Sequence, residues 1–385
     1  MNVPRFALAV LALAVAGPAA ADDTGSFVVR LGQDTVSVER YTRSPERIEV
    51  FQVGRAPRVL QRHFTYEYAK GALAKVTMVA TPPGSATPTQ TIEANLVGDS
   101  LRTEVTSPTA PAQTTTVAFP AGGQVVTGSS PWTGYETQTM RLAKAKSDSA
   151  GGTIYFLGGP TTNRFTVSRL GRDSMAVTTD RGDVFHMRVD KSGRILGVLP
   201  VAGTGMFAVD RVEKIDVNAM AAGFAAREQS GGGLGVLSPR DTVNVANAGG
   251  AALWFDYGRP AKRGRVIFGN VVPWGGVWRT GANAATQFKT DKSLDFGGVV
   301  VPPGFYTLWT VPSPTGWKLI VNSETGQWGT AHKAEKDLYT IDMKTTTLPE
   351  VAERFTISVE PSAEGGVLNL DWDTTRASAA FTAKP

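Results

Sequence analysis

The sequence predicts an all-β protein in two parts: an N-terminal curved antiparallel sheet with one or two short helices, then a C-terminal β-sandwich or jelly-roll-like domain. Three observations carry this expectation. Apolar and polar residues alternate with period two along most of the chain. The segments so marked are short and rich in Val, Thr and aromatics, and clusters of Gly, Pro, Asp and Ser separate them. The chain has 385 residues, 42% hydrophobic and 19% charged. At about 100–200 residues per domain that leaves room for two cores, and the composition excludes a disordered chain.

Composition also removes chemistries. The absence of cysteine excludes a disulfide framework, thiolate metal sites and a cysteine nucleophile. The three histidines, His63, His186 and His332, are scattered, so no metal site and no cofactor are expected. The formal net charge is +5, but its one compact basic cluster is Lys262-Arg263-Gly264-Arg265. Without a basic stripe and stacking aromatics, nucleic acid is not an expected partner.

The elements follow in order. Arg5, the apolar run 6–16, the break at Gly17-Pro18 and the small residues Ala19-Ala20-Ala21 read as a secretory signal peptide, residues 1–21, cleaved after Ala21. The run is too short to span a bilayer, and none follows that could, so an exported protein without a transmembrane anchor is expected, periplasmic or extracellular. Residues 22–228 form the expected N-terminal domain. Val36 and Val38 alternate with Ser37 and Glu39, and Phe64, Tyr66 and Tyr68 share a face opposite His63, Thr65 and Glu67. Around Ile48 and Val50 both parities are apolar, which predicts a strand buried on both faces. Further strands are expected over 74–80, 91–97, 114–119, 153–157, 164–170, 184–189 and 207–215. Arg181-Gly182-Asp183 and Lys191-Ser192-Gly193 are expected as hairpin connections. Residues 135–146 and 217–228 read as short helices, and Gly-rich 229–236 reads as a flexible linker.

Residues 237–385 form the expected second domain. Trp132 precedes the linker and the other seven tryptophans follow it. Strands are expected over 251–257 and 265–268, with hairpins over 305–322 and 355–372. Asp256-Tyr257-Gly258-Arg259-Pro260, Val272-Pro273-Trp274-Gly275, Trp278-Arg279-Thr280-Gly281-Ala282-Asn283, Pro303-Gly304-Phe305-Tyr306, Gln327-Trp328-Gly329 and Trp372-Asp373 together resemble an uncharacterised bacterial family, the domain of unknown function numbered 2911. The resemblance covers roughly 237–381 and implies a secreted or envelope β-domain without a known activity. Ala284 stands where the family pattern favours Glu. The N-terminal half is only loosely similar to periplasmic lipid- or lipoprotein-handling half-barrels, with no motif behind the likeness.

The candidate site residues are Trp278, Arg279, Thr280 and Asn283, with Asp256, Trp274 and Trp328. Arg279 clamps an anion and Asn283 orients a ligand if the segment lies at a pocket mouth. In a buried corner, Arg279 instead pairs with Asp256 or Asp373 and Asn283 serves the backbone. Asp371 and Asp373 share one side of a regular strand, about 6–7 Å apart at Cα, a spacing open to acid/base work. His332 is the remaining candidate base. Trp274 and Trp328, in Pro/Gly-rich loops, are the best members of a sugar-stacking platform. No nucleophile elbow and no His-Glu-x-x-His zinc motif is present. The expectation is therefore non-covalent binding of a small molecule, glycan or lipid, with an envelope-glycan hydrolase using an Asp with Arg279, or a structural docking module, as the other readings.

Overall fold

The computed structural model describes residues 23–120, 122–126 and 131–384. The expected signal peptide lies outside the described residues. Strands dominate the described chain, in two sheets with few short helices, as the alternation predicts.

The first sheet opens with β1 (Asp23–Leu31), β2 (Asp34–Arg43), β3 (Arg47–Gly54), β4 (Leu60–Ala69) and β5 (Ala72–Thr81). It continues through β6 (Gln90–Val97), β7 (Ser100–Ser107), β8 (Ala110–Ala118) and β9 (Gln124–Val126). After helix α1 (Thr133–Lys144) come β10 (Ser149–Phe156), β11 (Thr162–Arg169), β12 (Ser174–Thr179), β13 (Val184–Val189), β14 (Ile195–Ala202) and β15 (Ala208–Val212). All fifteen strands form one sheet in the order β8-β7-β6-β5-β4-β3-β2-β1-β15-β14-β13-β12-β11-β10-β9. Each neighbouring pair is antiparallel except β9 with β10. Both expected hairpin connections are found, joining β12 to β13 and β13 to β14.

Helix α1 shows how strongly this sheet curves. Its Glu136 is fully buried and reaches three strands: Tyr41 and Arg43 of β2, the Ile195 N–H of β14 and Arg211 of β15. Arg169 of β11 donates to the Leu142 carbonyl at the helix end (2.7 Å). One helix touches so many strands only if the sheet wraps around it. Phe27, Val29, Val50, Phe64, Tyr66, Phe165 and Met187 complete this inner core. On the outer face α2 (Val217–Arg227) covers Val38 and Val53 with Val217 and Ala221. That cover buries the end of β3 on both faces, with Val53 on one and Gln52 on the other. Just before the expected linker the Glu228 carboxylate accepts the Val59 N–H (3.2 Å), and within it the Gly232 carbonyl accepts from Arg55 (3.3 Å), so this stretch is held against the first sheet.

The second sheet contains β16 (Arg240–Ala248), β17 (Ala251–Gly258), β18 (Thr286–Thr290), β19 (Ser293–Asp295), β20 (Val300–Val301), β21 (Gly304–Val311), β22 (Trp317–Asn322), β23 (Asp337–Pro361) and β24 (Gly365–Lys384). Strand β23 pairs with β22 as far as Met343 and with β24 from Lys344 onward. It thereby carries the sheet from one layer to the other. Between the layers Phe255, Phe288 and Leu319 meet Leu368 and Phe381, with Trp278, Trp317, Phe355 and Trp372 packed edge-on or stacked. The strand expected over 265–268 is absent. Arg263 and Gly264 take positive φ, Lys262 and Arg265 close a turn, and Val272 N–H bonds back to Ile267, so Ile267 is buried from a loop. The inward Ile gave that segment its strand-like pattern.

Candidate functional site

The 278–283 segment is a sharp corner. Trp278 exchanges backbone hydrogen bonds with Thr310 of β21 (2.7 and 2.8 Å), and its indole N–H donates to the Gly281 carbonyl (3.2 Å). Thr280 and Asn283 then turn through φ values of 52° and 63°, left-handed conformations that L-residues rarely adopt. Thr280 is fully buried and hydrogen-bonds the Trp278 carbonyl and Thr310. The Trp328 loop rests on this corner, with the Gly329 N–H donating to the Asn283 carbonyl (2.9 Å). A Cβ on residue 329 would overlap both the Arg279 side chain and that carbonyl, so only glycine lets the loop close.

Arg279 leaves this corner toward the first sheet. It donates to the carbonyls of Gly203 (3.1 Å) and Gly329 (3.4 Å), and its Nε has no partner. Thr330 donates to the Arg181 carbonyl, and Arg263 pairs with Asp34 (2.6 Å). Together these contacts set the second sheet over one end of the first. Gly203 takes φ +109°, and a Cβ there would strike Asp183. Asp183 accepts from the backbone N–H groups of Thr204 (3.0 Å) and Gly205 (3.4 Å), fixing that loop at the junction.

A two-lobed groove runs along the junction. One lobe, about 210 Å³, lies between Leu31, Met206 and Phe207 on one side and Trp278, Arg279 and Asn283 on the other. The second, about 460 Å³, is walled by Tyr135, Phe156, Phe185, Leu237 and Trp328, with Arg62, Arg181 and Asp183. Thr204, Phe207, Leu237 and Asn283 line both, so the lobes adjoin. The larger lobe falls within the usual range for small-molecule sites, about 300–1,000 Å³.

The arginines of this groove lack the carboxylate partners that several arginines elsewhere have. Arg43, Arg211, Arg240, Arg259 and Arg376 are each bonded to a carboxylate. Arg62, Arg181, Arg265 and Arg279 all line the groove, and none forms an ion pair among the described residues. Arg62 donates only to Gln52 (3.2 Å). Arg181 lies over the rings of Phe156 (4.9 Å) and Trp328 (5.1 Å). Arg265 is satisfied by the Ala261 and Lys262 carbonyls. Burial lowers the pKa of Arg62, and brings Arg265 and Arg279 down to about 10. Asp183 opposes this at Arg279.

The remaining candidates, Trp328 apart, lie elsewhere. Asp256 is bonded to Arg240 (2.6 Å), Asp373 to Lys262 (2.7 Å), and Asp371 bidentately to Arg376 (2.7 and 2.8 Å). Neither Asp256 nor Asp373 is thus the partner of Arg279. Asp373 has φ 56° beside a register break, so the regular-strand geometry expected for the Asp371–Asp373 pair does not hold there. His332 contacts Asp337 (2.9 Å) and the edge of Trp309. Trp274 and Trp328 are 43% and 37% exposed, but they do not form one platform. Trp274 stacks on Phe268 beside a threonine-lined cleft with Trp317, while Trp328 stands in the groove.

Arg62, Arg181 and Asp183 were not among the sequence candidates. Arg62 shares the parity of Phe64 and Tyr66, which places it on the inner face of β4, an unusual position for a cation. Asp183 sits in a hairpin that sequence marks only as a turn.

These features define a cysteine-free, two-sheet β-protein with an arginine-rich groove between its halves. Its C-terminal part, residues 238–381, matches the family described as Protein of unknown function (DUF2911). No curated protein matches the chain. Among solved structures, a beta-barrel-like protein of domain of unknown function DUF1849 from Brucella abortus is similar at 11% identity and a TM-score of 0.32, over 49% of this chain and 94% of that one. A protein from Lactobacillus plantarum is similar at 10% identity and a TM-score of 0.14, over 94% and 100%.

Proposed function

We propose that this is an exported envelope protein that binds an apolar or amphipathic small molecule non-covalently in the junction groove. The groove itself carries the reading: both sheets contribute to it, and Phe156, Phe185, Phe207, Leu237 and Trp328 give it aromatic and aliphatic walls. Such walls suit the apolar part of an amphipathic ligand. No described helix is long and apolar enough to cross a membrane.

The test is titration of the full chain, leader removed, with the neutral fluorophore N-phenyl-1-naphthylamine. Saturable enhancement of its emission is expected, with at least about tenfold weaker binding in a Phe207→Asp variant that still melts cooperatively. Equal binding by that variant, or no saturable binding by the wild type, overturns the proposal.

A further inference from the structure

Resting on that reading of the groove, we infer that its ligand is an anionic amphiphile, whose phosphate or carboxylate group is held between Arg62 and Arg181 while its apolar body lies against Phe207 and Leu237. The argument starts from charge. Four guanidinium groups line the two lobes, against the single carboxylate of Asp183. Two backbone N–H groups and Thr179 already occupy that carboxylate.

Arginines withdrawn from water are ordinarily paired, because an unpaired buried cation is costly. This chain follows that rule at Arg43 and Arg211, which share Glu136. Arg265 and Arg279 each give two hydrogen bonds to backbone carbonyls, which hold them in place without neutralising them. Arg62 and Arg181 differ again. Among the described residues Arg62 gives one hydrogen bond, to a neutral amide, and the Arg181 guanidinium gives none, resting on ring faces. These two therefore keep donors to offer in the same lobe. A carboxylate or phosphate group matches the guanidinium fork bidentately, and an anion seated there would offset the effect of burial that lowers the Arg62 pKa.

The apolar body follows from the same lobe. A free inorganic anion would leave the Phe207 and Leu237 surfaces in water, whereas an amphiphile covers them. A phosphorylated sugar and a lipid share the head-group chemistry but differ in what they bring to these walls.

Two fluorophores with one skeleton separate charge from shape. 8-Anilinonaphthalene-1-sulfonate is N-phenyl-1-naphthylamine with a sulfonate added. The full-length protein is expected to bind the sulfonate at least about tenfold more tightly than the neutral parent. In Arg62→Gln and in Arg181→Gln the ratio of the two affinities should fall toward one, and Arg62→Lys should restore part of it. Arg47→Gln, in an exposed pair with Glu49, should leave the ratio as it was. Competition then distinguishes the sources. Short-chain phosphatidic acid or dodecanoate should displace the sulfonate at concentrations where glucose 1-phosphate and inorganic phosphate do not.

A ratio near one in the wild type, or one unchanged in both glutamine variants, overturns the anionic assignment while leaving groove binding intact if Phe207→Asp still weakens the neutral probe. Displacement by inorganic phosphate as effectively as by the lipid overturns the amphiphile. Loss of both probes' saturable binding in the wild type removes the groove reading itself.

Discussion

Glu136→Gln tests whether one carboxylate holds the curved sheet around its helix. The side chain is fully buried, with one oxygen accepting from the Tyr41 hydroxyl (2.6 Å) and Arg43 (3.1 Å), the other from the Ile195 N–H (2.9 Å) and Arg211. Glutamine keeps the shape and one acceptor, but it turns an N–H₂ toward existing donors and removes the charge between two guanidiniums. Breaking a buried ion pair from one side costs about 3–5 kcal/mol. Arg43 retains Asp23 (3.0 Å) and Arg211 retains the Ile195 carbonyl (2.6 Å), which places the loss near the lower end, about 3 kcal/mol. For a unit of this size each kcal/mol moves the midpoint by about 2–4 °C, so Tm should fall by roughly 6–12 °C. Differential scanning calorimetry reads this directly, with Glu49→Gln, an exposed pair, as the control expected within about 1 kcal/mol of wild type. A Glu136→Gln midpoint no lower than the control's would refute the reasoning, and with it the claim that Glu136 ties β2, α1, β14 and β15 together.

Three further outcomes follow from the same geometry. Burial raises the hydroxyl pKa of Tyr41 to about 12, with Glu136 adding to it, and burial also raises Tyr66 and Tyr135. A folded pKa above the unfolded one gives stability that is complete below about pH 10 and lost as pH climbs through 12. Phenolate absorbance should therefore rise cooperatively with unfolding, and a gradual rise in a still-folded chain would contradict this. Trp372→Ala should lower the denaturation free energy by about 3–5 kcal/mol, since Trp372 stacks on Trp278 (5.7 Å) and meets Phe355 and Phe268 edge-on; guanidinium titration measures it. Lys70 and Gly71 form a two-residue hairpin loop with φ 51° and 78°, so Lys70→Asn should stabilise the protein by about 0.5–1 kcal/mol, visible as a higher urea midpoint.

Much of the architecture is legible in the sequence because period-two burial writes itself directly into residue type. Phe64 and Tyr66 show it on β4, as do Phe165 and Val167 on β11. Strands with polar or small faces escape: β7 buries only Leu101 and Thr103. The segment 265–268 misleads in the other direction, because one buried Ile in a glycine-flanked loop copies a strand's pattern. At the candidate site, the corner from Trp278 to Asn283 is legible through its glycine, tryptophan and arginine. Its partners across the groove are not. Arg62, Arg181 and Asp183 reach the groove through strand order and sheet curvature, which local pattern does not encode.

The place of β1 in its sheet has a consequence for how the chain reaches its native state. Every other seam of that sheet joins strands that follow one another along the chain, apart from the α1 crossover between β9 and β10. The seam between β1 and β15 joins residues some 180 positions apart, such as Arg30 and Asp210. The meander from β1 to β8 is complete in sequence long before β15 emerges during synthesis. Until it does, β1 presents an open hydrogen-bonding edge with Phe27 and Val29 uncovered on its inner face. Non-local strand pairing of this kind is slow because loop closure precedes its reward. Zipping that one seam is the expected rate-limiting event, and the unpaired edge is where a nascent chain is most open to capture by a chaperone or by another copy of itself.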